Sequence, residues 1–179
     1  ILGTKNFCKN FIKPFIRNTG PSISPFNAWI LLKGVETLEL RVKKQTENAK
    51  SIVNFLNQSS KVKKIYYPTD INFKQKLITK KQMKDGGSII SFEIKSEKKN
   101  EKKTTFSFLN KLKLIDISNN LGDSKTLITH PDTTTHHRLG EKEKISLRIT
   151  KNLVRLSVGL EDSIDIIEDI NNALERAVK

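Results

Sequence analysis

The sequence has little cysteine, few aromatic rings and no long apolar run. Cys8 is the single cysteine in 179 residues, so no internal disulfide can form and a disulfide-stapled extracellular scaffold is excluded. The longest apolar runs, such as Ala28 to Leu32, fall far short of the roughly 18 residues that a membrane-crossing helix needs. No charged start followed by a long apolar stretch marks a secretory signal, and the expectation is a cytoplasmic protein in a reducing compartment. Acidic residues are outnumbered, with 19 Asp and Glu against 33 Lys and Arg, for a formal charge of +14. What is present, 36% hydrophobic and 29% charged residues at a mean hydropathy of -0.46, is the composition of one soluble domain with one core. It is not that of a disordered tail, a collagen or a mucin. The chain opens on Ile1 rather than Met, which suggests processing, excision or an incomplete chain.

A pI near 9.9 invites a nucleic-acid partner, because clustered Lys and Arg displace counterions from a phosphate backbone. The distribution argues against it. Lysines are scattered over nearly every segment, and the one dense run, Lys95 to Lys103, contains Glu97 and Glu101, as a solvated face does. Tyr66 and Tyr67 sit inside an apolar run and suit core packing better than base stacking.

Along the chain, Phe7, Phe11, Ile12, Phe15 and Ile16 keep a helical period, interrupted by Pro14 and closed by Gly20. Ser24 and Pro25 supply an N-cap and a first-turn proline. From there a long helix is predicted to about Asn57, with a kink or break at Gly34. Strands are predicted over Val62 to Tyr67, Ser88 to Ile94, Leu114 to Ile117 and Leu153 to Val158. Helices are expected within Ile71 to Met83, over Lys102 to Leu112 with Phe106, Leu109 and Leu112 inward, around Glu141 to Leu147, and over Ile164 to Val178. Asp162 or Ser163 can cap the last of these. Asn119 to Gly140 reads as loop. Helices and strands alternate throughout, which implies an α/β or α+β layered domain with helices packed on a sheet.

Several short patterns resemble sites and fail on inspection. Gly122-Asp123-Ser124-Lys125-Thr126 resembles the end of a phosphate-binding loop, but Ser124 stands where the glycine before the lysine belongs. His130, His136 and His137 lie close in sequence, yet adjacent residues diverge on a regular backbone and no cysteine or well-spaced carboxylate completes a metal set. Cys8, on an apolar helical stripe, reads as a small buried hydrophobe rather than a nucleophile. Arg155 is the sharper feature. A guanidinium inside the apolar strand Leu153-Val154-Arg155-Leu156 is costly to bury without a partner, so it should face a carboxylate. That carboxylate belongs either to a ligand or to an internal acid such as Glu161, and periodicity does not choose between them.

Five ordered blocks resemble the C-terminal part of the Cys/Met metabolism, or cystathionine γ-synthase-like, family of pyridoxal-phosphate (PLP) enzymes. They are Gly20-Pro21-Ser22-Ile23-Ser24-Pro25-Phe26-Asn27-Ala28-Trp29 with Leu32 to Arg41, Ile65-Tyr66-Tyr67-Pro68, and Gly86-Gly87-Ser88-Ile89-Ile90-Ser91-Phe92. Leu121-Gly122 with Thr126-Leu127-Ile128-Thr129-His130-Pro131 and Thr135-His136 follow, and then Arg155-Leu156-Ser157-Val158-Gly159-Leu160-Glu161. The resemblance implies the C-terminal domain of a fold-type I PLP-dependent transferase, with a mixed or antiparallel sheet and helices packed on one face. Residues 1–33 would be the end of the large cofactor domain and the start of a connecting helix, and residues 34–179 the small domain.

The resemblance further implies that Arg155 grips the α-carboxylate of an amino-acid substrate and that the main chain at Thr126, where the family usually has Ser, adds to that grip. His136 would have a structural or supporting role. The Thr133 to His136 run is most similar to the O-succinylhomoserine sulfhydrylase branch. This implies γ-replacement on an O-acylhomoserine, with the family's cystathionine or methionine lyases and a non-catalytic basic interaction domain as alternatives. The family's Ser-x-Thr-Lys Schiff-base motif, its pyridine-binding aspartate and its phosphate-binding residues have no counterpart here. The cofactor, PLP, is therefore expected only in a full-length parent, a homotetramer by resemblance, and the chain alone is expected to be inactive.

Overall fold

The computed structural model describes residues 2–178 and divides into two compact units, Ile1–Glu39 and Leu40–Lys179. The first unit is helical. Helix α1 (Lys5–Phe7), a π turn (Cys8–Ile12) and helix α2 (Lys13–Thr19) form one rod, closed by Gly20 in the left-handed conformation at φ 75°. The wide turn lies just ahead of Pro14, which has no N–H for the helical ladder and whose ring crowds the preceding turn. Helix α3 (Pro25–Glu36) starts as expected, with the Ser24 hydroxyl accepting the Asn27 N–H at 3.2 Å. The break expected at Gly34 falls instead at Thr37. A glycine within a helix costs only about 1 kcal/mol, whereas Thr37 is a β-branched residue of low helix propensity. No described residue of this unit is buried.

Helix α4 (Leu38–Gln58) leads into the second unit and buries Ala49, Ile52, Val53 and Leu56, a spacing that keeps them on one face. The remaining elements are β1 (Val62–Tyr66), α5 (Lys76–Gln82), β2 (Ile89–Ile94), α6 (Glu101–Leu109), β3 (Asp116–Ile117), β4 (Leu127–Thr129), a 3-10 turn (Pro131–Thr133), α7 (Glu141–Ser146), β5 (Leu153–Ser157) and α8 (Ser163–Ala177). The strands form one sheet in the order β1-β2-β5-β4-β3, antiparallel except for the parallel β3–β4 pair. This is the mixed sheet with helices on one face that the sequence led us to expect.

Register sorts the residues between the two faces. Ile65, Phe92 and Val154 form one row across three strands, and Ile90, Leu156 and Ile128 another. Both rows belong to a core closed by α4, by Phe108 and Leu109 of α6, and by Ile166, Ile170, Ala173 and Leu174 of α8. Phe92 meets Phe108 edge to face at 6.1 Å between ring centres. On α6, Phe108 is fully buried, while Phe106 and Leu112 pack only at the margin of the core. Tyr67 is buried as expected. The Asp162 carboxylate caps α8 by accepting the Ile164 N–H at 2.9 Å.

Two strand expectations are corrected. The segment Leu114 to Ile117 pairs only at Asp116 and Ile117, because the amides of Lys113, Leu114 and Ile115 donate to the buried Asp169 carboxylate on α8 at 2.8, 3.0 and 3.0 Å. The stretch Asn119 to Gly140, read as loop, contains β4 and the 3-10 turn. Its three strand residues are too few to alternate visibly.

Candidate functional site

The opposite face of the sheet is polar along one row. Tyr66 pairs with Ser91, Ser91 with Arg155, and Arg155 with Thr129, so these side chains project to the side away from the core rows. Arg155 is half-buried between buried Val154 and Leu156. Its Nη2 donates to the Asn119 carbonyl at 2.9 Å, and among the described residues it forms no ion pair. Withdrawal from water pulls its guanidinium below the ordinary value, the direction taken by a cation whose lost hydration no nearby anion replaces. Four of the five N–H donors of a guanidinium thus have no partner among the described residues.

Glu161, weighed above as the internal partner of Arg155, faces elsewhere. Its Oε1 accepts the Thr126 N–H at 2.6 Å and its Oε2 the Thr126 hydroxyl at 2.8 Å. Thr126 is fully buried. Its hydroxyl accepts the Gly159 N–H at 2.9 Å, and its carbonyl accepts the Asp116 N–H at 3.3 Å. The main chain expected to add to a carboxylate grip is therefore already engaged within the chain.

The segment from Ser118 to Thr126 is tied down along its length. Ser118 N–H donates to the Ile128 carbonyl at 3.0 Å and Gly122 N–H to the Ser157 hydroxyl at 3.0 Å. Gln45 on α4 donates to the Asp123 carbonyl at 2.7 Å. Gly122 stands at φ 77°, a conformation that favours glycine. Lys125, which completed the phosphate-loop resemblance, forms an exposed pair with Asp116 at 3.5 Å.

The histidines go to separate partners. Buried His130 donates from Nε2 to the Lys151 carbonyl at 3.0 Å, since that oxygen can only accept, and its Nδ1 accepts the Thr133 hydroxyl at 2.8 Å. Burial keeps this imidazole below its ordinary pKa, and it packs on Phe106 at 5.2 Å. His136 Nδ1 bonds the Thr135 hydroxyl and His137 Nδ1 donates to the Thr134 carbonyl. Among the described residues no group of three or more His, Cys, Asp or Glu is placed to hold a metal, and no helix is long and apolar enough to cross a membrane. Cys8 is half-buried.

Sequence reasoning singled out Arg155 and Thr126 but not Asn119, whose carbonyl meets Arg155. Asn119 acts through its carbonyl, which every residue type carries, so no residue-type signal exists.

The mixed sheet with helices on one face matches solved structures of fold-type I PLP enzymes. The family model for Cys/Met metabolism PLP-dependent enzymes matches residues 2–175, and the chain belongs to that family. An O-succinylhomoserine sulfhydrylase from Mycobacterium tuberculosis is 42% identical over 174 residues, covering 97% of this chain and 43% of the relative. An L-methionine gamma-lyase from Fusobacterium nucleatum subsp. polymorphum is 42% identical over 158 residues, covering 88% of this chain and 39% of the relative. A solved structure from Campylobacter jejuni, assigned as an O-acetylhomoserine (thiol)-lyase and carrying N'-pyridoxyl-lysine-5'-monophosphate, aligns at a TM-score of 0.87. It is 38% identical and covers 97% of this chain and 41% of that one. This chain thus spans about two fifths of the length of the proteins it matches.

The residues present do not fit the cofactor itself. A Schiff-base lysine works when it is desolvated and free of a fixed anion, and the one buried lysine among the described residues, Lys144, is held by Asp132 at 2.6 Å. What the chain offers is a half-buried guanidinium at Arg155 with one main-chain partner among the described residues.

Proposed function

We propose that this chain supplies the substrate α-carboxylate site of a PLP-dependent sulfur amino-acid enzyme that carries out γ-replacement on an O-acylhomoserine. The observation that carries this is Arg155, a half-buried guanidinium on the polar face with one main-chain partner and no ion pair among the described residues. A planar fork with free donors matches a carboxylate bidentately, and fixing the carboxylate fixes which bond of the substrate meets the cofactor. PLP, when bound in the full enzyme, supplies the electron sink for the chemistry. This chain's part is to bind and orient.

Thr126 serves that site by bracing the segment that carries Asn119, and His136 supports the turn after Pro131, to whose carbonyl its N–H donates at 2.9 Å. Residues 1–33 would belong to the large domain and 34–179 to the small one, a boundary supported by the division into units a few residues further on. The full enzyme would be a cytosolic homotetramer, and the chain alone would be inactive for want of a Schiff-base lysine. Methionine gamma-lyase chemistry is the second reading, favoured by the equally identical Fusobacterium relative.

In the full-length gene product, Arg155→Lys should lower kcat/KM for an O-acylhomoserine on the order of a hundredfold, because the bidentate geometry is lost. Undiminished kcat/KM would overturn the assignment. The 179-residue chain supplied with PLP, O-acylhomoserine and sulfide should show no turnover.

A further inference from the structure

The turn after β5 and the loop before β4 are locked together. Leu160 N–H donates to the Ser124 carbonyl at 2.8 Å, while Gly159 N–H meets the Thr126 hydroxyl. A Cβ at Gly159 would strike the Ser124 carbonyl, the Lys125 backbone and the Glu161 carboxylate, so the two backbones approach as closely as glycine allows. From behind, buried Asn48 on α4 donates to the Gly159 and Glu161 carbonyls at 3.2 and 2.8 Å. At the centre lies the Glu161 carboxylate, with both oxygens engaged by Thr126. The far end of the same loop carries the two groups that touch β5 on the polar face, the Asn119 carbonyl on Arg155 and the Gly122 N–H on Ser157.

We infer that Glu161 is a positioning residue for the carboxylate grip: by clamping Thr126 it fixes the loop whose Asn119 carbonyl aims the Arg155 guanidinium. The inference rests on Arg155 being the carboxylate anchor. A single carbonyl contact leaves a long side chain several rotamers, so the aim of Arg155 is only as firm as the loop behind it. Glu161 also serves by where it does not point. With its charge satisfied on Thr126, it does not neutralise Arg155, and the guanidinium stays available to a ligand.

The test is made on the cofactor-loaded full-length gene product, with Glu161→Gln, Thr126→Val, Thr126→Ser and Arg155→Lys. Gln keeps the shape of Glu but offers Thr126 one acceptor oxygen instead of two. Glu161→Gln should raise KM for the O-acylhomoserine roughly tenfold, with kcat changed far less, as misplacement of a binding group predicts. Thr126→Val should do the same, and Thr126→Ser should restore wild-type KM. Added to Arg155→Lys, Glu161→Gln should have no further effect, because both act on one grip. Visible absorbance of the bound cofactor and the urea midpoint monitor loading and folding.

A second measurement needs no turnover. In the isotopically labelled 179-residue chain, the Arg155 Nε–H resonance should shift and sharpen in Glu161→Gln as the side chain gains freedom. If Arg155→Lys raises KM and Glu161→Gln does not, Glu161 has no positioning role and the carboxylate site stands. If Arg155→Lys leaves KM unchanged, the carboxylate site itself fails. An Arg155 resonance indifferent to both Glu161→Gln and Thr126→Val overturns the coupling whatever the kinetics show.

Discussion

Helices α3 and α4 follow one another across a single residue, yet α4 buries Ala49, Ile52, Val53 and Leu56 to 5% exposure or less while α3 leaves Phe26 at 66% and Trp29 at 55%. Both carry apolar residues. The difference lies in what stands opposite, because α4 faces a sheet with two full apolar rows and α3 has no such surface within its own unit. Apolar periodicity therefore specifies a face and leaves its partner unspecified. Within its unit α3 also leaves Ile30, Leu31, Leu32 and Val35 exposed.

The contrast can be broken at several points. The largest effect is expected at Lys144, which the second unit encloses together with Asp132. Lys144→Met should cost about 3–5 kcal/mol by leaving a buried carboxylate unpaired, and adding Asp132→Asn should recover most of it. Urea titration of the unaltered chain and the two variants decides this, and a double variant as weak as the single one would speak against an isolated charge as the cause. Phe92→Ala, at the fully buried meeting of sheet and α6, should cost about 3–5 kcal/mol by the same measurement.

A smaller effect is expected from pH at His130. Burial depresses its folded pKa below the ordinary 6.5, so the unfolded chain takes up a proton that the folded chain refuses. The stability tied to neutral His130 is complete above about pH 6.5 and is lost as pH falls through that value toward the folded pKa. Urea midpoints at about pH 7.5 and about pH 5.5 should therefore converge more in His130→Gln than in the unaltered chain. An identical pH dependence would remove His130 from the account. The smallest effect belongs to the first unit: Trp29→Ala in this chain should stay within about 0.5 kcal/mol. A cost near that of Phe92→Ala would mean that the α3 face is covered after all.

How much could be read in advance follows from the distance over which each feature is decided. Helix α8 was legible to its cap, since Asp162 and the Ile166, Ile170, Leu174 stripe are local signals. The β4 strand was not, because its three residues are fixed by pairing with the two-residue β3 and with β5, some 26 positions later in the chain, and not by any local signal. The shortened β3 was equally hidden, its neighbours' amides being claimed by Asp169. Arg155 stood out as a charge in an apolar strand, yet its choice between Glu161 and a ligand depended on Thr126, 35 positions from Glu161, which takes that carboxylate instead.

The chain's two tyrosines carry a last consequence. Burial and the Glu93 carboxylate push Tyr66 up to about 12, and burial with the negative charge of Asp85 does the same for Tyr67, against about 10 in an open chain. In moderately alkaline solution the folded molecule is therefore nearly silent in phenolate absorbance. Each molecule that loosens this part of the sheet announces itself in the ultraviolet, so the fold carries its own optical indicator of integrity, built from the residues that close one of its edges.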